Sequence, residues 1–178
     1  MSRGDGRGPV LWLVLVLSGA IVGCGGFSND EARRLVLTYN ERVAKAFREA
    51  DATLVDEVAG DKEARKITGL IGVRLDREVI LDAELLGIDF ENVRRESATV
   101  LVRTRESWRY QERRLGDGEP TGPPSDDRYE MLYELRRMDG RWVVDAIRFA
   151  SPPQVGRPLP GWASGGSVPH GPGGGETQ

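Results

Sequence analysis

From Asp30 onward, apolar residues recur at helical spacing: Leu35, Val36, Tyr39, Val43, Ala46, Phe47 and Ala50. Asn29 or Asp30 is placed to cap the start, with Glu31 in the first turn, where a carboxylate offsets unpaired N–H groups. Asp51 introduces a second, short helix carrying Leu54, Val55 and Val58 and ending at Gly60. A third helix begins at Asp61. It points Ala64, Ile67, Leu70, Ile71 and Leu75 inward and Glu63, Arg65, Lys66 and Arg74 outward.

The second half of the chain changes period. Ala98, Val100, Val102, Thr104, Glu106, Trp108 and Tyr110 alternate along one face of a long strand, with Thr99, Leu101, Arg103, Arg105, Ser107 and Arg109 on the other. After a segment rich in turn formers, Tyr129, Met131, Tyr133 and Leu135 share one face of the next strand. Its other face carries Arg128, Glu130, Leu132, Glu134 and Arg136. This alternation sets Arg103 and Arg105 near Glu134 and Glu130 across the pair. Asp139-Gly140 is a type I′ hairpin signal leading into a strand from Trp142 to Phe149. A further extended segment runs from about Val79 to Phe90, with a break at Gly87. Three N-terminal helices followed by an antiparallel meander of about four strands give an α+β fold with its helices on one face of the sheet.

Both ends of the chain depart from this patterning. Arg3 and Arg7 precede an apolar run from Val10 to Leu17, and the segment closes on Ile21-Val22-Gly23-Cys24. A basic start, an apolar core and small residues before a cut describe a secretory leader. The run is too short for the ~20 apolar residues of a membrane-spanning helix, and Ser18 and Gly19 interrupt it. A leader whose cut falls between Gly23 and Cys24 resembles the lipobox of bacterial lipoproteins. That resemblance implies a thioether-linked diacylglycerol on Cys24, residues 1–23 as signal peptide and residues 24–30 as a lipidated tether. It places the domain outside the cytoplasm on a bacterial membrane. Gly25, where enteric inner-membrane lipoproteins carry Asp, leans toward the outer membrane. At the other end, residues 151–178 are rich in Pro and Gly and hold few apolar residues, a composition that predicts disorder. Residues 31–150 remain as one domain.

Composition removes several function classes. The formal net charge is −3, with both signs interspersed, and no basic stripe marks a nucleic-acid binder. Cys24 is the single cysteine, so no intrachain disulfide forms. The single histidine, His170, lies in the tail with Trp162. No Ser/His/Asp arrangement can form in a domain without histidine. The Gly116–Gly118 turn lacks the Lys-Ser/Thr ending and the strand–helix context of a phosphate loop. The acidic turn of Asp117, Glu119, Asp126 and Asp127 has no EF-hand spacing. Neither a cofactor nor a metal is expected.

The strands also carry a resemblance. The strings Glu106-Ser107-Trp108, Tyr129-Glu130-Met131-Leu132-Tyr133-Glu134-Leu135 and Asp139-Gly140-Arg141-Trp142 resemble the nuclear transport factor two-like superfamily. Within it they look like the C-terminal domain of plastid-division and cyanobacterial division scaffold proteins. The superfamily implies a cone in which helices pack into a strongly curved sheet, sometimes around a ligand pocket and sometimes in a homodimer joined through the open sheet face. In its enzymes an Asp or His in the cone acts on a proton next to a carbonyl. Here the odd polar group on an apolar face is Glu106. Trp108, Tyr129, Tyr133 and Trp142 are candidates to line a pocket around it, and Asp145 to stand nearby. A structural Glu106, hydrogen-bonded by Tyr129, Tyr133 or Trp142, is the competing reading. Arg103, Arg105 and Arg109 read as a solvated row balanced by Glu130 and Glu134. The expectation is a non-catalytic, membrane-anchored binding or scaffold lipoprotein, its partners an envelope protein or a small apolar ligand. The alternative is an isomerase- or dehydratase-like enzyme or small-molecule binder using Glu106.

Overall fold

The computed structural model describes residues 26–151. The leader, the cleavage and lipidation residues Gly23 and Cys24, and the tail with Trp162 and His170 lie outside the described residues. Helix α1 spans Asn29–Glu49 and α2 spans Asp61–Leu75. Strands β1 (Val79–Glu96), β2 (Thr99–Arg114), β3 (Ser125–Met138) and β4 (Arg141–Phe149) follow. They pair antiparallel in the order of the chain, β1-β2-β3-β4. The fold is α+β, with two helices and a four-stranded curved sheet.

The cap of α1 is Ser28, one residue before the expected Asn29 or Asp30. Its Oγ accepts the Glu31 N–H at 3.1 Å while the Glu31 carboxylate accepts the Ser28 N–H at 2.5 Å. This reciprocal capping box satisfies two N–H groups that the first turn leaves without helical partners. Asp51 caps the next segment as expected, accepting the Thr53 N–H at 3.0 Å. That segment is a single 3₁₀ turn, Ala52–Val55, so the second of the three expected helices is absent as an α-helix. The backbone is needed elsewhere: the Val144 N–H of β4 donates to Val58 O, and the Gly60 N–H returns to Val144 O, both at 2.8 Å. A Cβ on Gly60 would lie 2.9 Å from Asp145 Oδ1 and 3.3 Å from Asp145 Cα, so any larger residue must push Asp145 aside to keep this approach.

The inward face of α2 differs from the periodicity at both ends. Glu63 and Arg74, expected outside, are 4% and 7% exposed, whereas Leu75 is 37% exposed. Glu63 turns in because the Tyr39 hydroxyl and Lys66 Nζ both reach its Oε1, at 3.0 and 3.1 Å. Arg74 lays its stem on the core and its guanidinium over the Phe47 ring, 5.0 Å from the centroid.

β1 runs six residues beyond the expected Phe90. Its pairing with β2 shifts between Leu85 and Gly87, as the expected break at Gly87 requires, and again between Phe90 and Asn92. A third irregularity sits opposite, at Glu134/Leu135 in the β3–β4 pair. Extra residues of this kind bend a strand and increase its twist, which curves the sheet around α1. Asp139 (φ 49°) and Gly140 (φ 83°) both have positive φ, as the type I′ turn demands. The core lies inside the curve: Val36, Tyr39, Phe47, Ile67 and Ile71 of the helices meet Val100, Val102, Met131, Tyr133, Leu135 and Val144 of the sheet.

The outer face is a lattice of ion pairs, differently connected from the expectation. Arg103 joins Glu130 at 2.7 Å and Glu91 at 3.1 Å, and Arg105 turns to Glu91 at 2.5 Å. Glu134 is taken by Arg148 and Arg109 by Asp126. The outer strands are the cause: Glu91 of β1 draws Arg103 and Arg105, and Arg148 of β4 takes Glu134.

Candidate functional site

Glu106 stands in the middle of β2 on the concave face and is 1% exposed. Period two puts it there: Thr104 and Trp108 flank it on the same side of the strand. Both neighbours donate to it. Thr104 Oγ1 lies 2.7 Å from Glu106 Oε1, and Trp108 Nε1 lies 2.8 Å from Oε2. Tyr133 reaches across from β3 with its hydroxyl 2.7 Å from Oε1. Asn40, from α1, brings Nδ2 to 3.5 Å of the same oxygen and Oδ1 to 3.0 Å of the Tyr133 hydroxyl. Tyr133 has one proton, and the shorter contact assigns it to Glu106.

A carboxylate removed from water is costly unless its lone pairs are filled. Here three protein donors meet at Oε1 and one reaches Oε2, and no cation among the described residues takes part. The Tyr133 hydroxyl is held well above the ordinary tyrosine range, first by burial and then by the adjacent Glu106. Tyr39 is raised in the same way by burial and by Glu63. Both rings therefore stay neutral donors. They meet edge to face, centroids 6.2 Å apart, and so stand between the two buried carboxylates, Glu106 on the sheet side and Glu63 on the helix side.

What space remains is small. Tyr39, Asn40, Val43, Ala44 and Phe47 of α1 face Leu81, Ala83, Glu106, Trp108, Tyr110 and Ile147 of the sheet around one cleft. Its envelope, solvent at the mouth included, is about 380 Å³, but the interior void is about 30 Å³. That void has room for about two waters; small-molecule sites run to about 300–1,000 Å³. Phe47, 2% exposed, packs into the core along the wall of this cleft.

Of the five residues expected around a pocket, the structure unites Glu106, Trp108 and Tyr133. Tyr129 is opposite Glu106 in the β2–β3 register, with its ring 5.8 Å from Phe149. Trp142 is elsewhere. Near the start of β4, it stacks on Phe27 at 4.3 Å with the planes 14° apart. Asp145 is also removed from Glu106, because β4 pairs with β3 and not β2; its carboxylate meets Arg136 at 3.2 Å. Asn40 and the Tyr39–Glu63–Lys66 relay escaped the sequence reading. An Asn beside Tyr on the buried face of a helix was the available signal, since such a side chain requires partners. Among the described residues no group of three or more His, Cys, Asp or Glu is placed to hold a metal ion. No described helix is long and apolar enough to cross a membrane.

No family model matches the chain, and no curated protein matches it in sequence. Solved structures do match in shape. The intermembrane space region of the chloroplast protein ARC6 superposes with a TM-score of 0.61 at 15% identity, over 68% of this chain and 95% of that one. An NTF2-like protein from Cytophaga hutchinsonii gives 0.37 at 16% identity, over 65% and 93%. A ketosteroid isomerase-like protein from Erwinia carotovora atroseptica gives 0.40 at 14% identity, over 69% and 99%. The likeness to the ARC6 region is one of fold, two helices against a four-stranded curved sheet.

Proposed function

We propose that this chain is a lipid-anchored, non-catalytic binding or scaffold protein of the bacterial cell envelope, tethered through Cys24 with its domain outside the cytoplasm. The observation that carries the non-catalytic part is the state of Glu106. A general base needs a lone pair free for substrate and space for the substrate beside it. Thr104, Tyr133 and Asn40 crowd Oε1 of Glu106 while Oε2 accepts from Trp108 alone, and the space beside them is a void of about 30 Å³, far below what a substrate needs. With the interior filled, the outer surfaces are left for binding.

The anchor rests on the lipobox pattern ending at Cys24. Mass spectrometry of the N-terminal peptide from native membranes tests it. Cleavage before Cys24 with diacylglycerol on its sulfur is the expected product, and Cys24→Ala is expected to abolish both. An unmodified cysteine or an intact leader overturns the reading. A second reading, a small apolar ligand in the cleft, is favoured by Glu106 standing on the cleft wall. Anilinonaphthalene sulfonate separates the two. The intact protein is expected to leave its fluorescence unchanged, whereas saturable binding lost in Glu106→Gln supports the ligand.

A further inference from the structure

Helix α2 turns to solvent a face that the packing of its own domain leaves without a partner. Glu63, Ile67, Ile71 and Arg74 are buried on its inner side. At about 3.6 residues per turn, Arg65, Gly69, Gly72 and Asp76 fall in one line on the opposite side. Asp76 belongs to that line because its backbone (φ −61°, ψ −23°) continues the helical path. Arg65, Gly69 and Asp76 are exposed, and Val73 beside them is 58% exposed, the highest value among the described large apolar residues. Glycine is the poorest helix former after proline. Yet a Cβ at Gly69 or at Gly72 would meet nothing within 4 Å, so the contacts of this domain require neither glycine.

The charges along this helix complement one another when the helix is reversed. Lys66 is taken by Glu63 at 3.1 Å and Arg77 by Glu112 at 3.4 Å. The exposed charges without an ion pair among the described residues are Asp61, Lys62 and Arg65 in the first half of the helix, and Asp76 and Glu78 at its end. The first half is therefore net positive and the end negative. Arg65 and Asp76 are equidistant from the midpoint between Gly69 and Gly72. A second copy laid antiparallel about a two-fold axis through that midpoint sets each Arg65 against Asp76 of the other copy, and each Gly69 against Gly72 of the other copy. Val73 then covers Gly69 of the opposite copy. With no side chain at either glycine, the helix axes can approach to about 8 Å, the close end of the usual range.

We infer that the outer face of α2 is a self-association surface, on which a second copy of this chain docks antiparallel with Gly69 against Gly72 and Arg65 against Asp76. The contact goes beyond the proposed function and does not depend on the anchor, although a shared membrane raises the effective concentration at which copies meet. It uses the helical side of the domain, whereas the outer face of the sheet engages its charges in ion pairs of its own. A two-fold contact is used up by one partner, so its product is a closed dimer. One helix face buries less than ~1,200 Å², the class of weak interfaces. Its two charge pairs chiefly set register and direction.

Sedimentation velocity of the full chain in mild detergent, over a range of protein concentration, tests the contact. A reversible monomer–dimer equilibrium is expected. Arg65→Glu sets like charges against Asp76 of the other copy, and Asp76→Lys sets like charges against Arg65. Each variant alone is expected to associate at least about tenfold more weakly than the parent. An equal mixture of the two is expected to restore the dimer, because both cross-copy pairs are then opposite in sign. Both positions are exposed, and circular dichroism checks that the variants fold. Gly69→Leu, a better helix former, is expected to keep the helix and lose the dimer, since its side chain holds the two backbones apart. A chain that stays monomeric up to ~1 mM overturns the inference. So does a dimer that neither charge reversal weakens, a mixture that fails to restore association, or a dimer that survives Gly69→Leu. Assemblies larger than two also overturn it, since a two-fold contact cannot build them.

Discussion

The Tyr133 hydroxyl on β3 donates to Glu106 Oε1 on β2 at 2.7 Å, and both residues are shut off from solvent. A buried carboxylate loses more when a donor is removed than a neutral acceptor does, because its charge stays behind without compensation. Tyr133→Phe is therefore expected to destabilise the domain by about 2–3 kcal/mol. Urea unfolding followed by circular dichroism measures it. A change under about 0.5 kcal/mol, the range of ordinary surface substitutions, is incompatible with this network.

Alkaline pH tests the tyrosine pair. Folding raises the pKa of Tyr39 and Tyr133 above the unfolded value near 10. Their stabilisation is therefore complete below pH ~10 and is lost as pH rises, since the unfolded chain releases the protons first. Two such groups steepen the loss by about 2.7 kcal/mol per pH unit, and Tyr39→Phe is expected to halve that slope. Thermal melts between neutral pH and pH ~11 give the comparison.

Acid acts on the exposed carboxylates. The Glu31 pKa is lowered by the backbone and side chain of Ser28, Asp51 by the side chain and backbone of Thr53, and Asp126 by Arg109. Depressed values mean stabilisation that is present above the unfolded pKa near 4 and lost as pH falls through the folded one. Ser28→Ala removes the cap at a cost of about 1 kcal/mol at neutral pH. It is expected to narrow the difference between melts at neutral and acidic pH.

Phe47 tests whether the cone is filled. Phe47→Ala is expected to cost about 3–5 kcal/mol and to enlarge the cleft. Anilinonaphthalene sulfonate is then expected to bind the variant, provided circular dichroism shows it folded. A variant as stable as the parent places Phe47 outside the core.

Gly60 tests the junction between the 3₁₀ turn and β4. Gly60→Ala meets Asp145 Oδ1 at 2.9 Å and Met138 Sδ at 3.1 Å. The strain is expected to cost about 1–3 kcal/mol, the usual range of overpacking. Gly69→Ala, where the added carbon meets nothing within 4 Å, is expected to stabilise α2 slightly.

Much of this architecture was legible because burial follows period. Alternation along 98–110 placed Glu106 between Thr104 and Trp108, and Asp139-Gly140 announced its turn. Helical spacing found α1 to within a residue, and the strand strings pointed to the fold that the structure adopts. What escaped was long-range. Asn40 meets Glu106 across 66 positions of the chain, and no local pattern records such a meeting. Glu63 and Arg74 look like exposed residues by type and turn inward only because Tyr39 and Phe47 receive them. The Val58–Gly60 segment left the helical path for hydrogen bonds to β4, a tertiary preference that overrode a Val-rich local pattern. Trp142, assigned to the pocket by its aromatic character, found its partner in Phe27 at the opposite end of the sequence.

The Val58–Gly60 bridge has a further consequence, for self-association. A sheet can grow into a filament only if both outer strands accept another strand. On β4 the outward N–H and C=O of Val144 are already taken by Val58 O and the Gly60 N–H, respectively, and a strand arriving there must first strip them away. β1 remains, but its two register shifts twist it away from flat pairing. Two copies meeting through β1 would close on each other and expose no fresh edge to a third. The same junction that cost the chain a helix thus gives the domain a built-in stop against polymerisation.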